Sequence, residues 1–271
     1  MLYEFRYRAP KTASEMIRLL DDHRDDGKIL AGGTDLLPNI RDGNIRPAVV
    51  IDAKKIQSAD SIAWSASEGL VMGNAVTIND VLRCREAREL FPVLCDCARQ
   101  LASHQIRNRA TVAGNVVNAS PCADMAPALL CLDAFAVLES ASGTRQVPFS
   151  EFFTGVKHTV LKAGEFLEKI IIPASAAGAR GYYLKLKRIA GHDLGIIGVL
   201  MVRRNNGIRF GVSSAAPTPV LVGGMLDKDG VDAAIVKVLA AIKPIDDIRA
   251  SGEYRAFMAS TYIRRLWQEI K

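Results

Sequence analysis

The sequence predicts an α+β protein in two parts, and three observations lead there. Residues 1–52 read as strand, helix, strand, loop, strand. Residues 181–213 read as three antiparallel strands, and two helical stretches at 231–242 and 251–270 follow them. Strands followed by helices indicate an α+β unit. Between these regions, Ala, Gly and Ser cluster at 173–181 and mark a boundary. The expected domains are 1–173 and 174–271.

Residues 3–7 alternate as a strand that Ala9-Pro10 ends. Thr12 or Ser14 can cap a helix whose apolar positions are Met16, Ile17, Leu19 and Leu20. Residues 21–27 are a polar turn, 28–31 a short apolar strand, and Gly32-Gly33 end it abruptly. Thr34 and Asp35 can cap a helical turn through Leu36 and Leu37, and Pro47 precedes a strand at 48–51 ending at Asp52. Residues 62–64 and 70–72 read as a hairpin around Glu68-Gly69. A turn at 73–77 leads into helical spacing at 78–84, and 92–103 is a second helix with Val93, Leu94, Cys97 and Leu101 on one face. A polar, glycine-containing stretch spans 104–124, a short apolar one 126–132, and a strand 134–139. The three later strands are 181–189, 195–203 and 207–213, with Asn205-Asn206-Gly207 as a turn. No internal repeat or low-complexity segment is visible.

The chain has 271 residues, 49% hydrophobic and 24% charged, which is globular rather than disordered composition. The net charge is +6, but basic residues are spread from Arg6 to Lys271 and aromatics are only 6%, so a nucleic-acid module is disfavoured. No run of about 18 apolar residues marks a membrane span. The charged segment MLYEFRYRAP does not read as a secretory signal, and five cysteines are an odd number for a disulfide framework. A cytoplasmic chain with free thiols is the expectation.

Two segments can carry ligand chemistry. In Ala31-Gly32-Gly33-Thr34-Asp35, the glycines let backbone approach an anion, and successive N–H groups can form a nest; a tight strand-to-helix turn is the plainer alternative. The loop is neither G-x-G-x-x-G nor a P-loop. Residues 111–124 mix hydroxyl, amide and carboxylate groups with small residues, and Asp124 can accept from a ribose diol; local backbone capping by Asn and Ser is the alternative.

Together AGGTDLL at 31–37 and TVAGNVVNASPCADMAPALL at 111–130 resemble the FAD-binding subunits of the molybdenum hydroxylases, the family of the xanthine dehydrogenase and aerobic carbon monoxide dehydrogenase flavin subunits. The resemblance continues at 187–199, 211–221 and 247–266, five motifs in the family's order across nearly the whole chain. It implies a two-lobed FAD-binding domain at 1–173, with lobes at about 1–55 and 56–173, and a smaller α+β C-terminal domain at 174–271. It implies that Ile29, Leu30, Ala31, Gly32, Gly33, Thr34 and Asp35 form the pyrophosphate loop, with Ala75 and Thr77 a second wall. It also implies cofactor contacts at Leu101, Ala102, Ala110 and Val117, and at Thr111, Gly114 and Asn115 for phosphate and ribityl groups. Asp124 falls on the adenosine side, and Leu167 and Lys185 fall beside the isoalloxazine ring.

A cation near the ring stabilises negative charge on reduced flavin, a role open to Lys185 or Lys187. His192-Asp193 reads as structural, and His104 with Arg107 as a helix-end cap or partner surface. No residue is expected to be catalytic or a metal ligand, and the cysteines read as small core hydrophobes rather than an iron–sulfur pattern. The function implied is an electron-transfer oxidoreductase subunit. FAD would take electrons from [2Fe–2S] clusters of a small partner subunit, serve a large molybdopterin subunit, and pass electrons to an external acceptor. A self-sufficient FAD oxidoreductase and a non-enzymatic assembly subunit are the alternatives.

Overall fold

The computed structural model describes residues 3–189, 191–204 and 207–269. The expected Asn205-Asn206 turn and the end of the last helix at Ile270 lie outside the described residues. The first lobe holds β1 (Arg6–Arg8), α1 (Ala13–Asp22), β2 (Gly27–Leu30), α2 (Leu36–Arg41) and β3 (Val49–Asp52). The three strands are parallel in the order β1-β3-β2. Thr12, not Ser14, caps α1, its hydroxyl accepting from the Glu15 N–H at 3.1 Å. Met16 and Leu20, four apart on one helix face, bury against Val49 and Ile51. Phe166 arrives from the second lobe to close this small core.

The second lobe begins with β4 (Ile62–Ser65) and β5 (Gly69–Gly73), the expected hairpin. Its helices are α3 (Ile78–Arg83), α4 (Arg85–Leu90), α5 (Pro92–Gln100), α6 (His104–Arg107), α7 (Val112–Val117) and α8 (Ala126–Cys131). Then come β6 (Phe135–Ser140), β7 (Gly143–Pro148), α9 (Phe149–Phe152), the small hairpin β8 (Phe153–Gly155) and β9 (His158–Thr159), and β10 (Phe166–Ile172). An antiparallel sheet runs β4-β5-β10-β6-β7. The expected helix 92–103 stops at Gln100, because Leu101 is extended and Ala102 turns to φ +43°. The stretch 104–124 is not one loop: α6 and α7 are cut from it, capped by Ser103 and Thr111.

The C-terminal part is a four-stranded meander of β11 (Arg180–Leu186), β12 (Ile197–Arg204), β13 (Gly207–Ser213) and β14 (Val220–Met225), followed by α10 (Gly230–Ala241) and α11 (Gly252–Glu269). β14 adds a strand to the three expected. β12 is apolar on both faces because both are covered. Ile197, Val199 and Met201 pack with the helical residues Ala234, Val238, Ile263 and Leu266. Leu200 and Val202 turn the other way, into the core of the second lobe. Asp133, after α8, receives Arg204 at 2.6 Å and also pairs with Arg209, clasping this sheet to the second lobe.

Candidate functional site

The glycine loop leaves β2 with unused donors. Among the described residues, the N–H groups of Gly32, Gly33, Thr34 and Asp35 donate to no protein acceptor. Backbone donors are rarely left without partners unless water or a ligand takes them, and four in succession form a nest suited to an anion. Gly33 has φ +76°, a region where a Cβ is strained. Gly32 is required by close approach: a Cβ there would collide with the Arg109 carbonyl and stand 2.9 Å from the Ala110 Cα. Ile29 and Leu30 are half-buried on β2, and Thr34 and Asp35 are exposed. Asp35 occupies the N-cap position of α2 but makes no side-chain cap bond, which corrects that expectation.

The loop is braced from behind. The Lys54 ammonium donates to the Ala31 carbonyl at 2.8 Å and pairs with Asp52 at 2.6 Å. Tyr7 donates to the other Asp52 oxygen at 2.6 Å. Burial alone raises the Asp52 carboxyl, but the Lys54 and Tyr7 hydrogen bonds outweigh it and the net shift is downward. Tyr7, bonded to that anion, is pushed up to about 12.

The Gly32 contact carries the loop to the start of α7. Thr77 and Thr111 form an isolated antiparallel bridge, with Ile78 N–H donating to Ala110 O at 2.9 Å and Val112 N–H to Val76 O at 3.0 Å. The Thr111 hydroxyl accepts the Gly114 N–H at 2.9 Å. A Cβ on Gly114 would lie 3.4 Å from the Ala31 Cβ, so the glycine loop and this helix start touch. Ala75 and Ala110 are buried beside the bridge, and Val117 is exposed at the far end of α7. Asn115 is partly engaged, its amide oxygen accepting the Met125 N–H at 3.2 Å.

Leu101 and Ala102 form a turn held by Arg107, whose Nη1 donates to the Leu101 carbonyl at 2.8 Å and to those of Arg99 and Ala102. Arg107 is therefore a cap. Asn79, buried, anchors this corner through Asn108 at 2.6 Å and the His104 carbonyl at 3.1 Å.

Asp124 and Lys185 are one local site. Their side chains are 8% and 2% exposed and pair at 2.8 Å. Lys185 also donates to Gln100 O at 3.2 Å, and Tyr183 donates to the second Asp124 oxygen at 3.1 Å. The resemblance sets Asp124 on the adenosine side and Lys185 beside the ring; the structure brings the two side chains together, next to the Leu101 turn. Burial raises the Asp124 carboxyl, and Lys185 and Tyr183 only partly offset it. Lys187 is separate, donating to Gly191 O at 3.0 Å. Leu167 lies in a different sheet, on β10 opposite Leu138, inside the hydrophobic core. His192 is exposed and Asp193 pairs with Arg188 instead, at 3.2 Å.

The C-terminal motif reaches this neighbourhood. Asp247 binds Arg249 and Arg255, the latter at 2.6 Å. Buried Arg255 donates to the carbonyls of Ile196 and Ser214, and Arg249 to Gly195 O at 3.3 Å and the Cys122 sulfur at 3.3 Å. The Ser214 hydroxyl is buried with no partner among the described residues, and a Cβ on Gly195 would lie 3.2 Å from both it and Lys185 Cε. Sequence reasoning missed Lys54, Arg249 and Lys157. Lys157 donates to Asn118 Oδ1 at 2.8 Å and faces Asp35 at 3.8 Å. No periodicity marks these residues: Lys54 and Arg249 each pair with a carboxylate two positions away, but Lys54 reaches the glycine loop, Arg249 reaches Gly195 and Cys122, and Lys157 reaches Asn118 only through contacts distant in sequence.

Comparison with known proteins places this geometry. Residues 3–175 match the family described as the FAD binding domain in molybdopterin dehydrogenase, and residues 204–270 match the CO dehydrogenase flavoprotein C-terminal domain. The carbon monoxide dehydrogenase medium chain of Hydrogenophaga pseudoflava is 32% identical over 96% of this chain and 95% of its own length. The xanthine dehydrogenase FAD-binding subunit of Escherichia coli O157:H7 is 29% identical over 97% and 94%. A solved structure of the Hydrogenophaga pseudoflava enzyme superposes with a TM-score of 0.92 at 31% identity, covering 99% of this chain and 97% of that one. The fold is that of an FAD-binding oxidoreductase subunit. The chain belongs to the family of FAD-binding subunits of the molybdopterin dehydrogenases.

Proposed function

We propose that this chain is the electron-transfer flavin subunit of a molybdenum hydroxylase. It takes electrons from [2Fe–2S] clusters of a small partner subunit and passes them to an external acceptor, while a large molybdopterin subunit acts on the substrate. The observation that carries the reading is the run of four unused N–H donors at 32–35, set against the capped start of α7 inside a matched FAD-binding domain. The donor set fits the cofactor, since two adjoining phosphates need several convergent N–H groups and little else. Bound FAD would supply one-electron acceptance and two-electron release. The relatives support the partners: one is named a medium chain, and one solved structure is of a Cu,Mo-CO dehydrogenase.

In this reading the chain's residues bind and tune. Gly32, Gly33, Thr34 and Asp35 direct backbone donors at the pyrophosphate, and Thr111, Gly114 and Asn115 close the opposite side. Ala75, Thr77, Ala110 and Val117 shape the walls, and Ile29, Leu30 and Ala31 set the loop. Leu101 and Ala102, with the Asp124–Lys185 pair, line one end of the cofactor, and Leu167 belongs to a wall set apart from that pair. Residues 1–173 form the FAD-binding domain and 174–271 the C-terminal domain.

The test is the visible spectrum of the purified chain, with the released cofactor identified after denaturation. About one FAD per chain is expected, as is flavin reduction by a reduced [2Fe–2S] partner but not by organic donors alone. A chain that neither carries nor takes up FAD, or one that oxidises organic donors unaided, overturns the reading.

A further inference from the structure

We propose that Tyr183 is a positioning residue for the cofactor site: through its hydroxyl it fixes the ionisation and orientation of Asp124, and through Asp124 the position of the Lys185 ammonium. The inference rests on the FAD reading above.

The geometry is a buried chain of polar contacts. The Tyr183 hydroxyl stands 3.1 Å from both Asp124 Oδ1 and Ser213 Oγ. A carboxylate only accepts, so the tyrosine donates to Asp124, and the Ser213 hydroxyl then donates to the tyrosine oxygen. The other Asp124 oxygen holds Lys185, and Gln100 O takes a second donor of the ammonium. Tyr183 is 5%, Asp124 6% and Ser213 2% exposed, so each bond stands in for solvation the group has lost. The β12 strand makes room: a Cβ on Gly198 would collide with the Tyr183 hydroxyl and lie 2.8 Å from its Cζ. Phenylalanine would keep the ring in place and vacate only the space of the hydroxyl beside Gly198 and Ser213.

Asp124 is bonded to Lys185 and Tyr183 from β11, and Lys187 just beyond β11 and the buried thiol of Cys97 on α5 act on it through space without contact. Burial pushes its carboxyl up, while Lys185, Tyr183 and Lys187 pull it down. Removing the tyrosine hydroxyl deletes one downward influence, so Asp124 holds its proton to higher pH. A neutral Asp124 no longer anchors the ammonium as an ion pair, and the field at the cofactor changes.

The test uses the FAD-loaded chain. Tyr183→Phe removes the hydroxyl alone. Asp124 is followed by the carboxyl 13C resonance of aspartate-labelled protein across pH, and the midpoint potential of bound FAD is measured over the same range. FAD content should stay near that of the parent, while both profiles move upward by about one pH unit, a tenfold change in proton affinity. Ser213→Ala, which only weakens the tyrosine as a donor, should move both profiles the same way by less.

Profiles that overlay the parent's at full FAD content overturn the role of Tyr183, as does a potential that moves while the Asp124 resonance does not. If Tyr183→Phe fails to fold, Ser213→Ala decides by the same readouts, and an unmoved Asp124 titration overturns the proposal. Absence of FAD from the parent counts against the cofactor reading instead, and the 13C titration still tests the tyrosine.

Discussion

Thr77 and Thr111 bridge backbone to backbone, and each caps the helix that starts beside it. Two helix starts 34 positions apart in the chain are thereby held side by side, with the glycine loop packed on one of them. Thr111→Val keeps the bridge but removes the cap on Gly114. Loss of a threonine cap costs about 1 kcal/mol. Denaturant unfolding should register that loss, and FAD titration should show weaker binding. Unchanged stability would mean that α7 is held by packing alone.

Gly33→Val should empty the FAD site while leaving the fold. A β-branched residue at φ +76° costs roughly 1–2 kcal/mol and tilts the neighbouring N–H groups away from the nest. Far-UV circular dichroism should match the parent, and bound FAD should fall by about tenfold or more. Full FAD occupancy would sink the pyrophosphate assignment. Gly32→Ala should act in the same direction by forcing the loop away from Arg109.

Lys185→Met should lower the flavin potential, slow reduction, and leave Asp124 buried without its cation. Breaking a buried pair from one side costs about 3–5 kcal/mol. Asp124 is already raised above its ordinary 3.8 in the folded chain and goes higher without Lys185. Its folded form then binds more protons than its unfolded form, so stability falls as pH rises through that window. Urea midpoints of the variant should fall as pH is raised above the ordinary carboxyl value of 3.8. The double variant with Asp124→Asn should regain stability, and a double variant no more stable than the single would exclude an unpaired Asp124 as the cause.

Asp247→Asn should weaken the C-terminal staple by about 2–3 kcal/mol, since Arg255 keeps its two carbonyl partners but loses its anion. The hydrogen bond from Arg249 is the main reason the Asp247 carboxyl sits well below its ordinary 3.8. A depressed folded value gives stability that is present above 3.8 and is lost as pH falls toward the folded value. The variant's stability should therefore vary less with pH below about 4, measured by thermal unfolding from pH 7 to pH 2.5. The change is partial, because Asp52, Asp80 and Glu165 are lowered as well. Parallel curves for variant and parent would show that Asp247 carries none of the acid sensitivity.

Much of the fold was legible in the residues. The Met16 and Leu20 spacing marks α1, and the alternation in Ile197, Val199 and Met201 marks a strand with one face on the helices. The region from Thr144 to Ile172 was not legible. Its strands are short or bulged, as between Leu167 and Lys169, and short elements give little periodicity. The division of 104–124 into two capped turns was hidden too, because Ser103 and Thr111 read equally well as loop residues.

The sequence by itself determined where glycines and polar groups concentrate. Gly32-Gly33 required a special turn, and the stretch from Thr111 to Asp124 concentrated polar groups among small residues. Tertiary structure decided what those groups do. Asp124 meets Lys185 across 61 positions, and Lys54 reaches back 23 positions to the Ala31 carbonyl. Spacing along a chain reports only neighbours on one helix or strand. A buried carboxylate takes its partner from whichever strand crosses it, and that crossing is set by how the sheets pack.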